Sequence, residues 1–363
     1  MIDSSVHTLF QLLRFALGNK TECISPYDIY WQKVIDLSFE QGVAAIAVDG
    51  LKKLYGANSE LKLEIDSEDL EDLKYEWFGE VMRLEDDYRK YVEDISSLAK
   101  FYSEAGIEMM LLKGYGLSLN YPIPAHRLTG DIDIYLSDWK KGDEIIRRNG
   151  IVIDYSHHHH SVFNWKGQIV ENHYDIENRY ASKKGRQVDD LLKELAHASR
   201  KEVIVGNVKV YLPSSNFNGI FLISHCASHF VGDHITLRHL LDWALFVDKE
   251  WKEIDWQFVT DWLSRLGLWQ FLSCMNALSI DYLGIPTDKF PSLNRDPALE
   301  KRVLADILYP TFSEKGFGFF FKLRRLRANM WKRNLVVAET FIPQMLRLAW
   351  SHVVKPEKRI DEC

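Results

Sequence analysis

The chain is poor in cysteine, has no excess of positive charge, and has no apolar run long enough to span a bilayer. Cys23, Cys226, Cys274 and Cys363 are scattered over 363 residues. None of their spacings suits a metal, and free thiols fit a reducing, cytoplasmic compartment. Cys226 lies in an apolar helical pattern and is expected to be a buried thiol. Lys and Arg number 45 against 52 Asp and Glu, a net charge of −7, which argues against a general nucleic-acid binder while leaving room for a local basic patch. The opening Met1-Ile2-Asp3 has no basic region of the signal-peptide kind, and no membrane span is expected. What is present is ordinary for a soluble globular protein, 46% hydrophobic and 27% charged, with length for two or three domains.

The most informative stretch runs from Met109 to Leu136. It reads as a buried strand, a Lys113-Gly114 turn, a short helix or loop, Arg127, and a second strand with Gly130-Asp131-Ile132-Asp133 at its head. Residues two apart on a strand point to one face, so Asp131 and Asp133 share a face while Ile132, Ile134 and Leu136 pack behind. Paired carboxylates repel one another and need compensation. Oxygen-only ligands favour Mg²⁺ or Mn²⁺. A glycine ending a buried strand lets a ligand approach the backbone, and the adjoining lysine can neutralise phosphate. The plainer alternative is two acids bordering a solvent-facing strand.

Leu111-Leu112-Lys113-Gly114, then Tyr121-Pro122, then Arg127-x-x-Gly130-Asp131-Ile132-Asp133 resembles the uncharacterised bacterial nucleotidyltransferases of the polymerase-β-like superfamily. The resemblance covers about residues 105–250. It implies an α/β (α+β) fold with a small mixed sheet flanked by N- and C-terminal helical regions. It also implies transfer of a nucleotidyl group from an NTP such as ATP, with two metal ions and a third carboxylate on a later strand. Where the superfamily has Gly-Gly or Gly-Ser at the turn, this chain has Gly114-Tyr115, which favours a catalytically inert nucleotide-binding scaffold as the alternative. Glu171-Asn172-His173-Tyr174 matches the family's later strand, so Glu171 is the expected third acid and metal ligand, with Asp175 as the fallback. Glu171, His173 and Asp175 are expected to share one strand face. Glu171 is also a candidate general base. Lys113, Gly114, Arg127, Gly130, His173 and Arg238 are the expected nucleotide contacts. The acceptor stays open among a sugar, another small molecule, a tRNA end and a protein.

Three regions are expected: a helical part over 1–105 ending in a long buttressing helix, an α/β core over 106–213, and a helical part over 214–363. Helices are expected over Ser67–Tyr102, Trp139–Asn149 and Asp189–Arg200. Beyond Pro213, they are expected at about 217–231, 235–250 and 254–283. Hairpins are expected around Lys166-Gly167 and Gly206-Asn207. The run His157–His160 reads as a solvated loop or strand end in preference to a zinc site. His225 and His229 share a helix face, followed by Asp233-His234, Arg238 and Asp242. That group fits a metal hydrolase, a pocket lining, or a plain polar pairing between helices. From Phe317 on, aromatics run into Lys322, Arg324, Arg325, Arg327, Lys332 and Arg333. Such a tail packs its rings on its own domain or contacts a membrane surface, RNA or an acidic partner.

Overall fold

The computed structural model describes residues 3–19, 29–57, 68–157, 159–179, 183–232, 234–310, 324 and 327–336. Cys23, Ser67, His158, Asp233, Phe317 to Lys322, Arg325 and Cys363 lie outside them. The helices are α1 (Ser4–Ala16), α2 (Trp31–Glu40), α3 (Ala44–Ala57), α4 (Glu68–Glu104), α5 (Gly114–Ser118), α6 (Trp139–Arg148), α7 (Lys183–Ala198), α8 (Ser215–Gly232), α9 (Leu237–Glu250), α10 (Trp256–Leu266), α11 (Trp269–Leu283), α12 (Pro297–Leu308) and α13 (Met330–Val336). The strands are β1 (Met109–Leu111), β2 (Ile132–Leu136), β3 (Ile153–Asp154), β4 (His160–Trp165), β5 (Gln168–His173), β6 (Arg200–Val205) and β7 (Val208–Pro213). The fold is mixed α/β. It divides into two compact units that interleave in sequence: residues 1–88, 117–128 and 226–336, and residues 89–116 and 129–225, taken over the described residues.

The second unit is built on one sheet in the order β3-β4-β5-β2-β1-β7-β6. β1 pairs antiparallel with β2 and parallel with β7, and β2 pairs parallel with β5. β2 alternates buried and half-buried positions because Ile132, Ile134 and Leu136 point inward while Asp133 and Tyr135 point to the other face. The inward isoleucines meet Met109 and Leu111 of β1, Val170 of β5 and Val210 of β7. Tyr91, Ile95, Leu98 and Tyr102 belong to the same core, a stripe at three- and four-residue spacing along α4. Each isoleucine buried there contributes roughly 1.5–3 kcal/mol, which fixes the register of β2 and hence the direction of Asp133. A one-residue slip would turn every isoleucine to solvent.

The first unit is helical. Asp3 caps α1 by accepting from the Val6 amide, and Val6, Leu9, Phe10, Leu13 and Ala16 are buried along one face. The expected helix over 254–283 is in fact two, α10 and α11, because Gly267 at φ 79° ends the first in the left-handed region. Within the basic stretch, Lys332 is an exception to the expectation of solvated or partner-facing charge. It is only 2% exposed, lies 2.5 Å from Asp306 Oδ2, and its ammonium sits 4.9 Å from the Phe230 ring. Among the described residues no helix is long and apolar enough to cross a membrane.

Candidate functional site

Register builds the site. The parallel pairing of β2 with β5 sets Asp133 directly beside Glu171, and Tyr135 beside His173. Asp133, Glu171 and His173 therefore share one sheet face. His173 Nε2 lies 3.1 Å from Asp133 Oδ1 and 3.4 Å from Glu171 Oε2. Lys113, immediately after β1, brings its ammonium 2.7 Å from the same Asp133 oxygen and 3.5 Å from His225 Nε2. Asp131 sits just before β2, more exposed than Asp133 and Glu171 yet partly shielded by its surroundings. Gly114 opens α5 at φ 43°, and a Cβ there would collide with the Tyr91 hydroxyl. At Gly130 a Cβ would meet nothing within 4 Å, and its carbonyl accepts from Gln168 Nε2.

The carboxylates are shifted in different directions. Burial opposes ionisation of Asp133, but Lys113 and then His173 outweigh it and hold the group well below the usual range. Asp131 moves the other way, raised by loss of solvent and then by repulsion from Glu171 and Asp133. Burial also opposes the charge on Glu171, and the hydrogen bond to His173 overcomes it and lowers the group. His173 is raised although burial pulls it down, because Asp133 and Glu171 both favour the imidazolium.

Four residues corrected or extended the sequence reading. Asp175 does not share the strand face, since β5 ends at His173; it is paired with Lys193 and lies 3.9 Å from Arg179 Nε. His160 and His159 are not a solvated loop. His160 is 6% exposed on β4 and pairs across the hairpin with His173, their ring centroids 5.0 Å apart. Burial, then repulsion from His173, pushes His160 down to about 4 and His159 down to about 2, so both rings are neutral at pH 7. Only His157 of the described part of the run is exposed, stacked on His160 at 4.7 Å. Glu177 was not anticipated. It accepts from the Ser224 hydroxyl at 3.1 Å, and burial pushes it up to about 7 even though Ser224, Lys113 and His173 favour its charge. Nothing in the local pattern marks it, because its surroundings come from β1, β5 and α8.

The remaining candidates belong to the first unit. Arg127 is 6% exposed and committed to Asp242: Nε to Oδ1 at 2.8 Å and Nη2 to Oδ2 at 2.9 Å. Tyr121 donates to the same carboxylate at 2.8 Å. Arg238 donates from Nη1 to the Leu128 carbonyl at 3.4 Å. Asp242, needed by the hydrolase reading, is thus spent on an arginine and a tyrosine. The histidine and acidic groups close enough to share an ion, among the described residues, are Asp133–Glu171–His173 and His159–His160–His173. Neither includes His225, His229 or Asp242, so the described residues give the hydrolase reading no gathered ligand set.

The acids thus stand on adjacent parallel strands at the middle of the sheet, with a lysine at the turn after β1. The chain is a member of the family described as uncharacterised nucleotidyltransferase, which it matches over residues 27–284. Among solved structures it is similar to an antigenic nucleotidyltransferase-like protein from Paracoccidioides brasiliensis. The two share 17% identity over 53% of this chain and 92% of that one, with a TM-score of 0.35. No curated protein matches. The family match supports a general nucleotidyltransferase role.

Proposed function

We propose that the chain moves an NMP group from an NTP to an acceptor hydroxyl, with Asp131, Asp133 and Glu171 as the acids that hold Mg²⁺ or Mn²⁺. The observation that carries this is the register of β2 against β5, which sets Asp133 and Glu171 side by side with Asp131 two residues upstream. The donor set fits a cation: three carboxylates outnumber Lys113 and His173, and Asp131 is destabilised as an anion by loss of solvent and then by Glu171 and Asp133. A divalent ion bound there supplies the positive charge that steadies a triphosphate.

The chain's own groups do the rest. Lys113 offsets charge on the phosphates and fixes Asp133. His173 clamps Asp133 and Glu171 from the side, so neither rotates when a ligand enters. Glu177 takes the proton of the acceptor hydroxyl. It is better suited than Glu171, because a base works best with its pKa near the working pH, and Glu171 is held low by His173. In-line attack then forms the new O–P bond at the α-phosphorus and breaks the bond to pyrophosphate, which leaves. The reading is tested by incubating the chain with each α-labelled NTP, Mg²⁺ or Mn²⁺, and fractionated lysate of the source cells. Label transferred to an acceptor with release of pyrophosphate supports it. Tight nucleotide binding without transfer in any fraction would favour the inert scaffold.

A further inference from the structure

The segment that carries Glu177 is gripped from two sides. After β5 ends at His173, the amides of Tyr174 and Asp175 donate to the His159 carbonyl at 3.2 and 3.1 Å. The next two amides, of Ile176 and Glu177, donate instead to a side chain, Asp189 Oδ1 of α7, at 2.7 and 3.2 Å. Every backbone N–H from 174 to 177 is thus spent. Asp189 is fully buried, and a carboxylate leaves water only when it is paired. Its other oxygen lies 2.7 Å from Arg179 Nη1 and 2.9 Å from Lys193 Nζ. Lys193 is also paired with Asp175, and Arg179 Nη1 lies 2.7 Å from Asp190 Oδ1. The Asp189 carboxylate is therefore held at one oxygen by two cations while the other oxygen holds the chain. The transfer reading does not use it. At the far end of the Glu177 side chain, the carboxyl accepts from the Ser224 hydroxyl at 3.1 Å.

We propose that Asp189 is a positioning residue for the base: by gripping the amides of Ile176 and Glu177 it sets where the Glu177 carboxyl stands, while touching no reacting atom itself. The proposal rests on the transfer reading for what Glu177 does, and not for how Glu177 is held. A glutamate side chain has several rotatable bonds, so the Ser224 contact alone leaves the backbone free to shift. With the amide pinned as well, both ends of the side chain are fixed. That precision matters, because a displacement of about 1 Å at a reacting group costs on the order of 100-fold in rate. Asp189 also acts on the proton. Burial first, and more weakly the Asp189 charge, push Glu177 up to about 7. Loss of Asp189 lowers it on both counts, since a looser segment admits water and a like charge is gone.

The test compares full chains of wild type, D189A, D189N, E177Q and D189A/E177Q in rate against pH. D189A should lower kcat about 10- to 100-fold and leave the KM for NTP within about twofold. The limb of its rate profile that falls with falling pH should move down from about 7. Added to E177Q, D189A should cost nothing more, because a residue that acts through another is silent once the other is gone. D189N keeps the shape and one acceptor oxygen, so its rate should fall between those of wild type and D189A. A merely structural Asp189 would lower the melting temperature and leave kcat and the limb in place. That result, or losses that add in the double variant, would overturn the proposal. If D189A does not fold, D189N carries the same comparisons. If the wild type transfers nothing, the transfer reading fails, and infrared titration follows the Glu177 carboxyl as the band that E177Q lacks. Its midpoint should then fall in both Asp189 variants, and an unmoved midpoint would overturn the proposal.

Discussion

Arg127 should matter to stability and not to nucleotide affinity. Its guanidinium makes two parallel bonds to Asp242, at 2.8 and 2.9 Å, and both residues are buried. Arg127→Met would leave the carboxylate with Tyr121 as its remaining donor from that group. Burial already works against the charge on Asp242, and Arg127 is what outweighs it and holds the group low. Breaking a buried pair from one side costs about 3–5 kcal/mol, whereas replacing both partners by apolar groups is often neutral. A native state is stable by only about 5–15 kcal/mol, so the single variant should be visibly weakened. The double variant R127M/D242L should recover most of the loss, giving a coupling of about 2 kcal/mol or more. Urea unfolding followed by tryptophan fluorescence is a suitable assay, since Trp243 is buried next to Asp242 in α9. NTP affinity, measured by equilibrium binding on the same samples, should stay within about twofold, since a 1.4 kcal/mol change would be tenfold. An R127M chain with wild-type urea midpoint and lost NTP affinity would refute this and return Arg127 to the phosphate site that its sequence position suggests.

Other outcomes follow from the same geometry. His126 is clamped between Asp49 at 2.6 Å and Glu85 at 2.9 Å. Burial lowers its pKa, but those two acids raise it further, so the folded value lies above the usual one. The clamp's stability is therefore full below about pH 6.5 and is lost as pH rises through the folded value. Urea midpoints across pH should show that decline, and Asp49→Asn should flatten it; a midpoint rising over that range would contradict the sign. Gly114→Ala should cost about 1–3 kcal/mol, from positive φ plus collision with Tyr91. Adding Tyr91→Phe should return part of it, and no recovery would place the whole cost in the backbone. Glu177→Gln should abolish the limb of the rate profile that falls as pH drops below about 7, while NTP binding persists. An unchanged limb would assign that proton to another group.

The sheet was readable because its central strands obey simple rules. Ile132, Ile134 and Leu136 alternate with Asp133 and Tyr135, so a two-residue period alone gave β2 and the direction of its acid. The two glycine-marked hairpins were readable from their turns. Long-range partners were not. Arg127 sits in a loop whose neighbour in space, Asp242, is 115 residues away, so proximity to the glycine turn suggested phosphate instead. His159 and His160 looked polar and therefore solvated, but β4 lies against β5 and carries His160 under cover beside His173. Glu177 has no local signature because burial by distant elements sets its pKa. Gly267 could have been suspected as a break in the long 254–283 pattern, since a glycine within a helical run is often its C-terminal cap.

The acids beside one another on β2 and β5 are proposed to carry transfer and not merely to support the sheet. Pyrophosphate release should be measured for wild type, D131N, D133N and E171Q with the labelled NTP, metal and acceptor fraction that give the highest wild-type rate. Melting temperatures are recorded on the same samples. D133N should lose about 100-fold or more of the rate, roughly 2.7 kcal/mol in the barrier. D131N and E171Q should be similarly impaired, and all three should keep the wild-type sheet, because the isoleucines behind β2 are untouched. A folded D133N chain releasing pyrophosphate at the wild-type rate would contradict it.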